Sequence, residues 1–248
     1  MNEELVGALT GLIGLLAVGV PAGIRSLPEP PPDELPADPE DDTKLQAMLR
    51  AEGPKELYAD LADRPRLALW ASVVSVLANV AIGVRLGDHP ATWALAVLTP
   101  VLVLLAIVDW RTRLLPRVVV LPATGILIVL AGLEWLVQRD GHVLARTLIA
   151  MLLARSVFWL LWFVRSAGMG FGDVRLAALL GLVLGRLGWS EWIIGLYGGL
   201  LLFGVFGITL MVVRRDRSTL KKAYPFGPFM IAGALAGVLT GGAVHLVS

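Results

Sequence analysis

Eight apolar runs of membrane length, at about 5–24, 67–86, 91–109, 117–138, 143–164, 176–189, 191–213 and 226–247, leave little of this 248-residue chain for anything else. A bilayer's hydrocarbon core is about 30 Å thick and takes about 20 apolar helical residues to cross, so such a chain folds across a membrane rather than around one soluble core. The mean hydropathy of +0.76 agrees. The runs are rich in Leu, Val and Ala, are interrupted by Gly and Pro, and lack the alternation over roughly ten residues that marks a barrel strand. The expected fold is therefore all-α, a polytopic bundle of about eight transmembrane helices. The run at 176–189 is short, and reads as a span with little tilt, one partly buried in protein, or a half-helix.

Basic residues set the orientation, because Lys and Arg stay preferentially on the cytoplasmic side. With eight spans, one side collects Arg25, Arg64, Arg66, Arg111, Arg113, Arg117, Arg165, Arg175 and the run from Arg214 to Lys222, while the other receives Arg85, Arg139, Arg146 and Arg186. That bias places both termini outside and residues 25–66 in the cytoplasm. The chain then divides into 1–66, a first span followed by an acidic, proline-rich loop, and 67–248, a membrane domain. The loop's first half is too rich in Pro and acid to build a core. Its second half, about 43–63, offers an amphipathic helix through Leu45, Met48, Leu49, Leu57 and Leu61, read as a linker at the membrane surface ahead of a binding element. The acidic opening Met1-Asn2-Glu3-Glu4 is unlike the basic start of a cleaved signal peptide, so the first run is expected to stay as a span. Cysteine is absent, which removes disulfides, thiolate zinc sites and a cysteine nucleophile together. The net charge of +1 says nothing about partners in bulk, so the distribution of charge is what counts; the bilayer is the partner it marks, and no nucleic acid is expected.

Two carboxylates sit where apolar runs end. Asp173 lies in the glycine-rich stretch Gly168-Met169-Gly170-Phe171-Gly172-Asp173-Val174-Arg175-Leu176, and Asp109 closes the third run in Val108-Asp109-Trp110-Arg111. Glycines at alternate positions strip side chains from the turn and let another backbone come close. An acid beside hydrocarbon is costly and usually has a partner or a task. Each has an ordinary reading when taken alone: Asp109 as an interfacial residue paired with a nearby Arg, Asp173 as a helix N-cap. Helix parity, however, puts both at the cytoplasmic boundary. Two neighbouring carboxylates resist ionising together and hold one proton between them, giving one base and one acid. That is the equipment of an aspartic protease: one group takes a proton from water while the other polarises the scissile carbonyl.

Gly170-Phe171-Gly172-Asp173-Val174-Arg175-Leu176 resembles the GxGD motif of the type IV prepilin peptidases. Asp109, with Pro116 seven residues on, is similar to that family's first aspartate and its D-x6-P loop, and Pro225-Phe226-Gly227-Pro228-Phe229 resembles its PFGP segment. The resemblance spans about 100–235 and implies an eight-helix GxGD aspartic protease fold in a bacterial plasma membrane, with its active site facing the cytoplasm. It implies Asp109 and Asp173 as the catalytic pair, and Gly170, Phe171, Gly172, Pro225, Phe226 and Gly227 as substrate-binding positions. It also implies prepilin or pseudopilin precursors as substrates, cut between a basic leader and an apolar helix. The glycines beside Asp173 would let an extended substrate strand lie along the backbone. Many members carry an N-terminal domain with two CxxC pairs and N-methylate the new terminus using S-adenosylmethionine. Here Gly19 to Pro28 resembles only the start of that domain and its cysteines are missing, so a zinc-bound form is excluded. Proteolysis needs no cofactor or metal, and S-adenosylmethionine enters only if methylation is retained.

Other residues read more plainly. Arg155 lies near the middle of the fifth run, where it must face protein or water, with a helix carboxyl end, a carbonyl or Glu134 as partner. His89, His142 and His245 fall on the outer side as interfacial residues. The basic run from Arg214 is a topology signal and lipid contact, the tryptophans near helix ends form an aromatic belt, and the glycines of the last two runs suit close helix packing. Rival readings are a proton-coupled transporter or channel built on the two carboxylates, which would spread ionisable groups through the bilayer, and a silent scaffold subunit of a pilus or secretion machine, which need not keep both aspartates. Oligomeric state does not follow from the sequence.

Overall fold

A computed structural model describes residues 11, 13–14, 16–29, 58–87, 89–164, 170–214 and 224–241. Most of the acidic loop, Gly168, Met169, the basic run from Arg215 to Lys222 and His245 lie outside the described residues, as do parts of the first and last apolar runs. Within them every regular element is a helix: α1 Val20–Arg25, α2 Tyr58–Ala62, α3 Leu67–Leu86, α4 Pro90–Thr112, α5 Arg117–Gln138, α6 Gly141–Val164, α7 Phe171–Leu187, α8 Trp189–Arg214 and α9 Gly227–Thr240. The described residues from 11 to 18 are also helical. Five helices, α3, α4, α5, α6 and α8, are long and apolar enough to cross a membrane, and α9 is a shorter apolar helix. The expected count of eight is not reached among the described residues. The 176–189 run is the tail of α7, a 17-residue helix buried in protein.

Local signals set the helix limits. His89 Nδ1 accepts the Ala91 amide at 3.1 Å and a proline opens the first turn, so α4 starts there. It stops at Arg113, which turns into the left-handed region at φ 55° while its amide closes on the Asp109 carbonyl at 2.9 Å. Asp140 Oδ1 accepts the amides of His142 and Val143 and so caps α6. The Glu29 carboxylate takes the amides of Tyr58 and Ala59 at 2.9 and 3.0 Å, and Arg25 pairs with Asp63. These contacts tie α1 to α2 across the acidic loop, and of the loop's apolar positions Leu61 is buried.

Helix α7 is the axis of the bundle, with 12 of its 17 residues buried. Lipid tails give no hydrophobic drive between helices, so close approach must come from small residues. Gly181 and Gly185 of α7 face Ala154 and Ala150 of α6, and Gly195 and Gly199 of α8 face Gly233 and Gly237 of α9, each pair spaced four apart. α4 is the other interior helix, with 67% of its apolar stretch buried against 28% or less in the remaining four spans. Arg146 donates to the carbonyls of Gly185 and Arg186 at 2.8 and 2.9 Å, closing the far end of α7. Arg186 in turn forms a two-pronged pair with Glu134, one arm at 2.7 Å. Glu134 is thus held by Arg186 and not by Arg155, which stands exposed on α6. The two are 52 residues apart, and it is the close seating of α7 beside α5 that joins them.

Candidate active site

The C terminus of α4 meets the N termini of α7 and α9 at one end of the bundle. Asp109 occupies the last turn of α4 at 4% exposure, and its Oδ2 accepts the Gly227 amide at 2.9 Å. Gly227 is the first residue of α9, so this amide is one that the helix cannot satisfy itself and that points its dipole at an acceptor. Asp173 lies in the first turn of α7 at 6% exposure. The N-cap is Gly170, with φ −73° and ψ 148°, and the Asp173 amide closes on its carbonyl at 3.1 Å. Asp173 is therefore inside the helix and not its cap. Leu115, in the loop after Asp109, rests on Gly172 beside Asp173, so the two acids stand on separate helices at the same end of the bundle. Helix dipoles point their positive poles there from two sides, the arrangement that steadies negative charge in a poorly hydrated setting.

The remaining sequence-derived positions collect around this pair. An added Cβ on Gly172 would sit 2.8 Å from the Leu115 side chain, so the loop after Asp109 rests directly on the glycine turn. Phe171 packs edge-on to Trp162 at 5.2 Å and lies beneath the Arg175 guanidinium at 4.9 Å, half-buried beside the opening turn of α7. Pro225 and Phe226 are buried; the Phe226 ring lodges between Phe158 at 5.8 Å and Phe203 at 5.0 Å, anchoring the chain that delivers the Gly227 amide. All three segments quoted from the sequence, 109–116, 170–175 and 225–227, thus converge on one end of the bundle.

Two neighbours had drawn no notice in the sequence. Thr112, one turn beyond Asp109, is 2% exposed and donates to the Val108 carbonyl at 2.9 Å. The buried Tyr58 hydroxyl reaches Thr112, and burial pushes that phenol above its ordinary range, with Thr112 working the other way. No periodicity links residues so far apart; only the capping of α2 by Glu29 hints that Tyr58 is fixed. Among the described residues no three His, Cys, Asp or Glu side chains gather as a metal site. His89 and His142 lie at the opposite end, beside Arg186 and on α6 respectively.

A polytopic helical membrane protein with two buried aspartates at converging helix ends is the class these features define. Residues 96–212 match the Type IV leader peptidase family, Peptidase A24. The prepilin leader peptidase/N-methyltransferase of Pseudomonas putida is 30% identical over 190 residues, covering 74% of this chain and 63% of that protein. The protein of the same name from Aeromonas salmonicida is 33% identical over 173 residues, 66% of this chain and 55% of its own, and that of Pseudomonas aeruginosa is 33% identical over 153 residues, 58% and 50%. The chain thus spans between half and just under two thirds of the length of these relatives. No solved structure matches it.

Proposed function

We propose that this protein is a membrane aspartic endopeptidase that removes the leader from prepilin-like or pseudopilin precursors at the cytoplasmic boundary of a bacterial plasma membrane. The observation that carries this reading is the burial of Asp109 and Asp173 at converging helix ends on one side of the bundle, with the Gly227 amide bonded to the first. One carboxylate removes a proton from water, whose oxygen adds to the scissile carbonyl. The protonated partner donates to that carbonyl oxygen; on collapse the C–N bond breaks, the amine takes up the proton first removed, and the new carboxyl returns a proton to the partner. The Gly227 amide holds Asp109 in one orientation throughout. The substrate strand lies across the exposed Gly170 and half-buried Phe171, with Gly172 seating the loop after Asp109 and the buried Pro225 and Phe226 backing the Gly227 amide. The cytoplasmic placement draws support from Arg111, Arg113, Arg117, Arg175 and Arg214, which share the aspartates' end of the bundle.

The relatives' name joins a peptidase to an N-methyltransferase. We assign this chain the peptidase activity alone, with neither S-adenosylmethionine nor a metal in the reaction. Incubating the purified protein in detergent or nanodiscs with a synthetic prepilin tests the assignment. Asp109→Asn and Asp173→Asn should each lower cleavage by about 100-fold or more, with unfolding temperature retained and chelators without effect. Wild-type rates in either variant would overturn the pair as the catalytic unit.

A further inference from the structure

Arg155 is the one described residue whose charge the bundle leaves unexplained. It lies 14 residues after the start of α6 at Gly141 and nine before its end at Val164, about 21 and 13 Å at 1.5 Å per residue. Its level is fixed by its neighbour, because Ala154 packs against Gly181, well inside the Phe171–Leu187 helix and about 12 Å from Asp173 along it. The side chain is exposed, and its outward neighbours Leu152, Trp159 and Leu160 are 52%, 44% and 56% exposed. Helical side chains lean toward the N terminus, here the farther end, so reaching the nearer headgroups runs against the geometry. Among the described residues Arg155 makes no hydrogen bond, ion pair or ring contact. Arg146 and Arg186, by contrast, are engaged with carbonyls and a carboxylate.

We infer that the outward face of α6 docks a transmembrane helix of another membrane protein, one that carries a carboxylate at the depth of Arg155 and pairs with it. An intramembrane cation is retained when it meets an opposite charge or a water-filled cavity, and the α6 face that packs on α7 is the other one, through Thr147, Ala150, Ala154 and Phe158. Beside Arg155 the stacked rings of Trp159 and Phe163, 5.5 Å apart, give the incoming helix a flat apolar contact. A second copy of this chain offers no such carboxylate among the described residues. Among the described residues of the spans, Asp109 and Asp173 are buried at one end, Glu134 is committed to Arg186, and Glu191 opens α8 beside Gly188. A twofold contact through this face would also set Arg155 against its own copy. The docking is independent of peptide cleavage.

The test uses the full-length protein, donor-labelled, in phosphatidylcholine bilayers with acceptor-labelled polyleucine transmembrane peptides carrying Glu, Gln, Lys or Leu at mid-length. Energy transfer should report the Glu peptide binding about tenfold more tightly than the Leu peptide. Arg155→Leu should abolish that difference without lowering the unfolding temperature, since the position faces lipid, and Arg155→Glu should transfer the preference to the Lys peptide. Equal binding of Glu and Leu peptides to the wild type would overturn the inference, as would a Glu preference that survives in Arg155→Leu. Loss of the preference on adding phosphatidylglycerol would assign the arginine to lipid phosphate instead, and overturns it equally.

Discussion

A methyl group at Gly227 would have to share space with Asp109 Oδ2, 2.8 Å from the ideal Cβ position. The glycine is needed there for the approach of the carboxylate and not for an unusual backbone angle. Gly227→Ala is expected to swing Asp109 away from the α9 amide and lower kcat/KM on a synthetic prepilin by about 100-fold, with little change in unfolding temperature. Unaltered kinetics would show that the bond to Gly227 is incidental. His89 bears on stability at the other end. Burial, and next the Arg186 guanidinium, push its imidazole below the ordinary range, with Glu134 opposing in part. The folded state then binds fewer protons than the unfolded chain, so stability is intact above about pH 6.5 and declines as the pH falls below it. Asn would keep the N-cap without titrating, so unfolding scans of His89→Asn at pH 5.5 and 7.5 should show a smaller acid loss than the wild type. Asp109 and Asp173 were legible as residues because charge inside apolar runs stands out. Gly227 was legible only through resemblance, and Tyr58 and Thr112 not at all, since burial by a distant segment leaves no periodic trace.

Among the helices, α7 illustrates how hydropathy misplaces a boundary. The apolar run begins at 176, yet the helix begins at Phe171, because glycine, aspartate and arginine dilute the signal over the turn that holds the carboxylate. Its packing was equally hidden: the glycines of α8 and α9 announce close contact, while Gly181 and Gly185 find their partners in the alanines of α6. Gly181→Leu should force α6 and α7 apart, costing about 1–3 kcal/mol and lowering the midpoint of detergent-induced unfolding. The Glu134–Arg186 pair holds the far end of the same helix, with side chains 21% and 13% exposed. Replacing Glu134 by Gln leaves a largely buried guanidinium under-paired and should cost about 1–3 kcal/mol. Replacing both partners with apolar residues should recover part of that loss. A loss as large in the double variant as the two single losses added together would show the residues to be uncoupled.

For the molecule as a whole, length and hydropathy foretold helices and membrane, but spans were easier to count than to confirm. The 5–24 run falls partly outside the described residues, α9 is 14 residues long, and α7 is wrapped by protein. Orientation is open to direct measurement because the chain has no cysteine of its own. In intact cells a membrane-impermeant thiol reagent should label Gln138→Cys and miss Leu114→Cys until the membrane is breached; the reverse pattern would turn the aspartates outward.

The bond between Asp109 and Gly227 also orders events in time, since 118 residues separate its ends. A ribosome must add all of the intervening helices after Asp109 before α9 emerges to deliver its amide. Until then the first acid lacks its anchor.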